Sequence, residues 1–166
     1  MQGTIEIVAA LIRDEAGRVL LVRKRGTTAF MQPGGKRDHG EDDVAALARE
    51  IDEELGCRLV HDSIRSLGEF DAISANEPGF RVRAALYEID VTGEIAPKAE
   101  IEAMVWIDPA APADIPLAPL TRDHVLPLAS RKSVVRQRLN RISAILHQGQ
   151  MRWSGRTAGE KLLELC

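Results

Sequence analysis

The sequence predicts one mixed α/β or α+β domain, followed by a shorter segment of different character. Its apolar patterns are mostly strand-like, with one strongly helical pattern between strands. Its length of 166 residues suits one domain with a sizeable core and is short for two. Residues 1–130 carry 14 Lys and Arg against 23 Asp and Glu, whereas residues 131–166 carry 8 against 2. We therefore predict a domain over residues 1–130 and a basic, helical C-terminal extension over residues 131–166.

The first half of the chain predicts a β-hairpin, a loop and a helix. Two β-branched, apolar runs in "TIEIVAALIRDEAGRVLLVRKRG" flank a turn signal at residues 14–17. A Gly- and Pro-containing loop, "GTTAFMQPGGKRDHG", follows. A helix is expected over residues 42–55, ended by Gly56, because the apolar side chains there share one helical face. That face comprises Val44, Leu47, Ala48, Ile51 and Leu55.

The second half predicts three more strands and a short helix. "SIRSLGEFDAI" and "GFRVRAALYEIDV" are strand-like and are linked by the polar turn "SANEPG", and "AMVWID" forms the third strand. The prolines of "PAAPADIPLAPL" predict an extended loop. Thr121 is then positioned to cap a short helix through Leu126, which Pro127 should end or kink.

The extension predicts an amphipathic helix. Its apolar face comprises Val135, Leu139, Ile142 and Leu146. Such a stripe must be covered, either by the domain of the same chain or by a second subunit in a homodimer. The sequence leaves both arrangements open.

Composition disfavours several classes of protein. The apolar run "IVAALI" is too short to span a bilayer, and the first residues lack the basic segment of a secretory signal. Cys57 and Cys166 have neither metal-site nor disulfide-framework spacing, so we expect two reduced thiols. The acidic balance of residues 1–130 disfavours a nucleic-acid partner. We expect a cytoplasmic protein without a membrane partner.

The predicted helix also gathers three carboxylates. Glu50, Glu53 and Glu54 fall within an arc of about 100°, centred roughly 120° from the apolar face. Their mutual repulsion destabilises an isolated helix by a few tenths of a kcal/mol per pair, roughly. A bound divalent cation would make the three carboxylates stabilising instead of destabilising, because magnesium prefers hard oxygen ligands. On these three residues alone, a solvated acidic face is the simpler interpretation.

The flanking residues shift the balance toward a metal site. Gly34 and Gly35 allow the backbone to approach a ligand closely. Glu41 lies just before the first helical turn, and Arg49 can orient a carboxylate with its fork of donors.

Gly35, five residues, Glu41, seven residues and then "REIDEELGC" resemble the signature of the Nudix hydrolases. Eight positions fit at fixed spacing: Gly35, Glu41, Arg49, Glu50, Ile51, Glu53, Glu54 and Gly56. Cys57 replaces an aliphatic residue, which is a small change because cysteine is itself a small buried hydrophobe. The resemblance covers about residues 3–130 and implies an α/β/α sandwich around a mixed β-sheet. It does not extend to residues 131–166.

The resemblance implies hydrolysis of the pyrophosphate bond in a nucleoside diphosphate linked to another group, with magnesium or alternatively manganese. It implies that Glu50, Glu53 and Glu54 are metal ligands and that the Gly35 carbonyl is an extra ligand. Glu41 would bind metal through water or pair with Arg49, which would orient the carboxylates. The general base would be Glu53 or a later glutamate, for which Glu100 and Glu102 are candidates. Surface charge is the simpler interpretation of either one taken singly.

Substrate recognition is less specified. Arg23 and Arg25 should share one strand face, as should Arg81 and Arg83, because strand side chains alternate. Either pair is a candidate for holding phosphate oxygens, although strand-surface arginines are more common. Nucleoside triphosphates, ADP-ribose and nucleotide sugars all remain open as substrates, and capped RNA is disfavoured by the acidic domain. A non-catalytic nucleotide-binding or regulatory module is the alternative from another class, and it usually has a broken signature.

Overall fold

The structure is a computed structural model that describes residues 3–131. It contains eight strands and one long α-helix, followed by a terminal helical segment. The strands are β1 (Gly3–Ile12), β2 (Val19–Lys24), β3 (Gly34–Gly35), β4 (Arg58–Leu59), β5 (Arg65–Ile73), β6 (Phe80–Ile89), β7 (Val91–Thr92) and β8 (Ile101–Ile107). The helix α1 spans Asp43–Leu55 between β3 and β4. Residues 119–131 are helical and include a π-helical turn at Thr121–Val125.

The central sheet is mixed. Its strand order is β3-β1-β6-β5, with β1 parallel to β6 and the other neighbours antiparallel. Two smaller sheets pair β2 with β8 and β4 with β7. The long β1–β6 pairing, from Gly3 opposite Phe80 to Ile12 opposite Ile89, places sequence-distant strands at the middle of the domain.

Apolar side chains cover both faces of β1 because successive residues of a strand point to opposite sides. On one face they pack against α1, in a cluster that includes Val8, Ala10, Ile12, Leu47 and Ile51. On the other face they pack against the terminal helical segment, in a cluster that includes Ala9, Leu11, Val125, Leu126 and Ala129. A sheet covered by helices on both faces is the α/β/α sandwich that the resemblance implied, and that expectation is confirmed.

The predicted helix is present with both expected ends. The Asp42 carboxylate caps it by accepting a hydrogen bond from the backbone N–H of Ala45 at 2.8 Å. Gly56 follows its last residue with a left-handed φ of 67° and donates to the Asp52 carbonyl oxygen.

The predicted hairpin is only partly correct. The turn at residues 14–17 forms, and one isolated bridge joins Arg13 to Val19. Beyond that bridge the two strands separate, because β1 pairs with β3 and β6 whereas β2 pairs with β8. The backbone N–H and C=O groups that a hairpin would have paired are hydrogen-bonded to these other strands instead.

The predicted capping role of Thr121 is wrong, and so is a helix end at Pro127. Thr121 lies inside the helical segment, and its buried hydroxyl donates to Gln32 Oε1 at 3.0 Å. Helical residues continue past Pro127 to residue 131, and the irregularity in the segment is the π-helical turn that precedes the proline. The amphipathic helix predicted in the extension lies outside the described residues. Within residues 3–131, no helix is long and apolar enough to cross a membrane.

Candidate active site

Strand β3 consists of Gly34 and of Gly35, the first residue of the signature, and it lies against helix α1. Val8 of β1 stands opposite Gly35 in the sheet, which fixes the glycines beside the helix. A Cβ atom at Gly35 would lie 2.6 Å from Cδ of Glu50, and one at Gly34 would overlap the Val8 carbonyl oxygen. Glycine is therefore required at both positions for the Glu50 carboxylate and the β1 backbone to approach this closely.

Glu54 is a fully buried carboxylate, with 0% of its surface exposed. Its Oε2 accepts a hydrogen bond from the backbone N–H of Gly34 at 2.9 Å. Lys24 Nζ lies 3.1 Å from its Oε1, but the angles fall outside those of a hydrogen bond and this oxygen is left without one. Burial outweighs the nearby ammonium and raises the pKa of Glu54 to about 7.

Lys24 supplies positive charge to two carboxylates at once. Besides Glu54, its ammonium donates to Glu100 Oε1 at 3.0 Å. Burial lowers the pKa of Lys24, but the two carboxylates outweigh this and raise it above its usual value. Lys24 is thus a charged link between the helix α1 and the turn that precedes β8.

Arg49 is the second cation of the site and contacts three glutamates. Its Nε and Nη2 donate to the two oxygens of Glu41 at 2.8 and 2.9 Å, the bidentate geometry that favours arginine. Its Nη1 donates to Glu50 at 2.9 Å and, at 3.4 Å, to Glu53. The fork holds the pKa of Glu41 down to about 2. Its contact with the Lys36 carbonyl oxygen at 3.0 Å ties the helix to the signature loop.

The carboxylates suit a hard divalent cation but do not converge on one point in this structure. Within residues 3–131, no three carboxylate, imidazole or thiolate groups are gathered closely enough to hold a metal ion. Glu50 and Glu54 both reach β3, whereas the Glu53 side chain is 54% exposed and forms an ion pair with Arg49. The buried Oε1 of Glu54 retains acceptor capacity, which fits an oxygen-seeking ion.

A cavity of about 380 Å³ opens beside Glu50, the one signature carboxylate that lines it. Its charged wall is formed by Lys24, Lys36, Glu50 and Glu100, with Gly34 and Gly35 between them. Its apolar wall includes Ile5, Ile7, Ala9, Val82 and Leu120, and the loop at residues 73–77 forms part of the rim. A cavity of this size, with one apolar wall and one charged wall, can hold a small molecule that carries an anionic group.

Of the two later glutamates, Glu100 lies at the cavity and Glu102 does not line it. Glu102 instead accepts a 2.6 Å hydrogen bond from Arg23, one of the predicted phosphate-binding arginines. Arg23 also lies over the ring of Phe30 at 5.7 Å and donates to the Thr27 carbonyl oxygen. These contacts hold Arg23 and Glu102 to each other.

The other predicted arginines also lie away from the cavity. Strand β2 ends at Lys24, so Arg25 belongs to the following turn and does not share a strand face with Arg23. Val82 lines the cavity, and alternation along β6 therefore puts Arg81 and Arg83 on the opposite face of the sheet. Arg83 forms an ion pair with Asp71 at 3.3 Å there.

Sequence reasoning missed two residues of the site, Lys24 and Gln32. Lys24 stands between the two arginines that were considered, and alternation alone would have placed it on the other face of the strand. Gln32 lies two residues before Gly34 and is buried in the cavity wall. No spacing rule distinguishes either residue from an ordinary polar residue.

One family and several proteins resemble this chain. The NUDIX domain model matches residues 4–128. A CTP pyrophosphohydrolase from Escherichia coli is 32% identical over 126 residues, which cover 68% of this chain and 87% of that protein. An 8-oxo-dGTP diphosphatase from Haemophilus influenzae is 41% identical over 56 residues, which cover 31% of this chain and 41% of that protein. The crystal structure of a MutT NUDIX hydrolase from Burkholderia pseudomallei matches with a TM-score of 0.61 and 28% identity, over 77% of this chain and 96% of that one.

Proposed function

Because the chain belongs to the Nudix family, we propose that it is a divalent-metal-dependent pyrophosphohydrolase. Its substrate would be a nucleoside diphosphate linked to another group. The observation that carries this proposal is a cavity lined on one side by Glu50 of the signature, together with Gly34, Gly35 and Lys24, and on the other side by apolar side chains. The apolar wall suits a base, and the charged wall suits a polyphosphate with its counterions.

Magnesium, with manganese as the alternative, would be held by Glu50, Glu53 and Glu54, with the Gly35 carbonyl as an extra ligand. Glu41 would take part through water or through Arg49. A bound divalent ion neutralises phosphate charge and increases the acidity of a coordinated water. The buried, hydrogen-bond-deficient oxygen of Glu54 supports this assignment, because it can accept a further partner.

The protein's own residues would position the metal ligands and neutralise part of the phosphate charge. Arg49 orients Glu41 and Glu50 through its fork, so its role is to place the ligands. Lys24 brings positive charge to the cavity wall, where phosphate oxygens would lie. Phosphoryl transfer depends mainly on such positioning and charge stabilisation. Glu53 and Glu100 are the candidates for accepting the proton of the attacking water, because Glu53 is exposed and Glu100 lines the cavity.

Among the substrate classes, nucleoside triphosphates are the first to test. The two relatives described above carry the names 8-oxo-dGTP diphosphatase and CTP pyrophosphohydrolase. ADP-ribose and nucleotide sugars remain in the proposal, because each also places a pyrophosphate next to a nucleoside. The arginines proposed for phosphate binding do not gain support from the cavity, since Arg23, Arg25, Arg81 and Arg83 are absent from its lining.

The test is a phosphate-release screen over nucleotides, nucleotide sugars and dinucleotides, with magnesium or manganese. Glu53→Gln should lower metal-dependent turnover by about 10²- to 10⁴-fold, the range for a lost general base. The fold should be unaffected, because the Glu53 side chain is exposed. Asp52→Asn is the matched control, since it removes one charge from the neighbouring exposed position of the same helix. Unchanged turnover in Glu53→Gln would defeat the catalytic assignment.

The alternative is a nucleotide-binding or regulatory module without turnover. Every carboxylate of the signature is retained in this chain, which favours the enzyme. Nucleotide binding without phosphate release across the whole screen would favour the module instead.

A further inference from the structure

Gln32 is a buried amide with one end bound and the other without a partner. Its side chain is 5% exposed, and its Oε1 accepts the 3.0 Å hydrogen bond from the fully buried Thr121 hydroxyl. Its Nε2 is buried and has no hydrogen-bond acceptor among the described residues. An amide nitrogen carries two N–H donors, so this end of Gln32 has hydrogen-bonding capacity that the described fold does not use.

Such a group is costly to keep in a folded domain. Most buried polar atoms in native proteins have a partner, and exceptions are often functional. The backbone around the Thr121 partner is also unusual, because Thr121 begins the π-helical turn. Turns of this kind are rare and often lie at functional sites. Two independent features therefore mark the Gln32–Thr121 pair.

The location of Gln32 identifies what it can contact. Gln32 lines the same cavity as Gly34 and Gly35, and its partner Thr121 directly follows Leu120 of the apolar wall. A nucleoside bound with its phosphates at Gly34 and Gly35 would have its base against that wall. The edge of a base in that position would offer an acceptor to the amide of Gln32, which lines the same cavity.

We propose that Gln32 is a specificity-determining residue whose Nε2 donates to a keto oxygen at position 6 of a purine or position 4 of a pyrimidine. This inference rests on the proposed function, because it assumes that the cavity holds a nucleotide. An amino group at the same position would place its N–H donors opposite those of Gln32 Nε2, and neither group would have an acceptor. Bases with a keto group at this position are therefore bound in preference to their amino counterparts.

The sharpest test compares IMP with AMP, whose bases differ at position 6 by a keto and an amino group. Both are nucleoside monophosphates, the product shared by every substrate class in the proposal. With magnesium present, calorimetry on the wild-type chain should give a Kd for IMP at least about tenfold lower than for AMP. In Gln32→Met, which keeps the length but loses both polar atoms, the gap should fall below about threefold. The ratio of two Kd values is insensitive to a general loss of folded protein.

Gln32→Glu provides a second variant, because an ionised carboxylate keeps the shape and the acceptor but cannot donate. It should reverse the preference, because the new carboxylate oxygen can accept from the amino group of AMP but cannot donate to the keto oxygen of IMP. Equal Kd values or tighter binding of AMP in the wild type, or an unaltered gap in both variants, would overturn the inference. Failure of the proposed function has a different outcome, namely no metal-dependent hydrolysis of any nucleotide. That outcome is separate from the IMP and AMP binding ratio.

Discussion

At the residue scale, the site is a set of carboxylates held together by two cations of the same chain. Lys24 pairs with Glu54, and Arg49 links Glu41 to Glu50. A buried carboxylate without such a partner would be strongly destabilising. The cations therefore stabilise the arrangement of the carboxylates while leaving one oxygen of Glu54 without a hydrogen bond.

The raised pKa of Glu54 predicts that the stability of the metal-free protein depends on pH. A carboxyl whose pKa rises from 4.5 in the unfolded chain to about 7 in the fold favours the folded state below pH 4.5. That contribution is lost as the pH rises toward 7, and a difference of this size corresponds to about 3 kcal/mol. In denaturant unfolding with EDTA present, the contribution of Glu54 to the free energy of unfolding should therefore decrease as the pH rises from 4.5 to about 7.

Glu54→Gln isolates this contribution, because an amide of the same shape does not titrate. The difference in unfolding free energy between wild type and variant should grow in favour of the variant from pH 5 to pH 7. A constant difference across that range would show that Glu54 has an ordinary pKa in the folded state.

Substitution of Arg49 should lower turnover. Arg49→Lys keeps the charge but cannot contact both oxygens of Glu41 and also Glu50 from one rigid fork. Metal-dependent turnover should fall about 10- to 100-fold, the usual effect of losing a group that orients ligands. Arg18→Lys, at the surface pair with Asp14, is the control and should leave turnover unchanged. Equal turnover in Arg49→Lys and wild type would reduce Arg49 to a simple counter-charge.

The glutamates of the site were predictable from sequence, and their cationic partner Lys24 was not. Glu50, Glu53 and Glu54 are close in the chain, so helical geometry alone places them near one another. Lys24 comes from β2, and its approach to Glu54 depends on how distant strands pack. Gln32 was missed for the same reason, because its partner Thr121 is 89 residues away.

At the element scale, the close contact between β3 and α1 depends on Gly35. Its φ lies outside the left-handed region, so alanine is allowed by the backbone and excluded only by the Glu50 carboxylate. Gly35→Ala should lower turnover by displacing Glu50, and it should cost little unfolding free energy, because the flexible end of the Glu50 side chain can shift away from the new Cβ. Unfolding curves and a turnover assay on the same preparation measure both effects.

Gly68→Ala separates the two effects. Gly68 has a φ of 107°, and among the described residues an added Cβ would meet Phe70 at 3.9 Å, an ordinary contact, so its substitution strains the backbone at a position outside the cavity lining. It should lose about 1–2 kcal/mol of stability and keep its turnover. If both variants lose turnover equally, general destabilisation is the cause and the close approach of Glu50 to Gly35 is not needed.

Elements with local signals were predicted well, and elements that depend on distant partners were not. Helix α1 has its cap at Asp42, its stop at Gly56 and an apolar face, all within its own segment. The hairpin failed because β1 and β2 find partners far away in the chain. Thr121 was misassigned as a cap because its hydroxyl bonds to Gln32 across the fold, which no local pattern reveals.

At the scale of the whole molecule, the site joins elements from separate parts of the fold. Gly34 and Gly35 come from the central sheet, Lys24 from the smaller β2–β8 sheet and the glutamates from α1. The central sheet in turn is covered on its other face by the terminal helical segment. An ion that binds the carboxylates therefore links elements that must all be in place, and its binding free energy should add to the stability of the domain.

Magnesium should accordingly raise the unfolding temperature of the full chain. At a concentration of about 100 times Kd, binding contributes about 2.7 kcal/mol, which corresponds to roughly 5–10 °C for a protein of this size. Glu50→Gln should fold, because Gln can still accept from Arg49, but should lose most of the rise. Asp71→Asn, which removes a carboxylate from an exposed pair with Arg83, should keep it. Thermal melts with and without magnesium measure all three, and an equal rise in Glu50→Gln would place the stabilising ion away from the signature carboxylates.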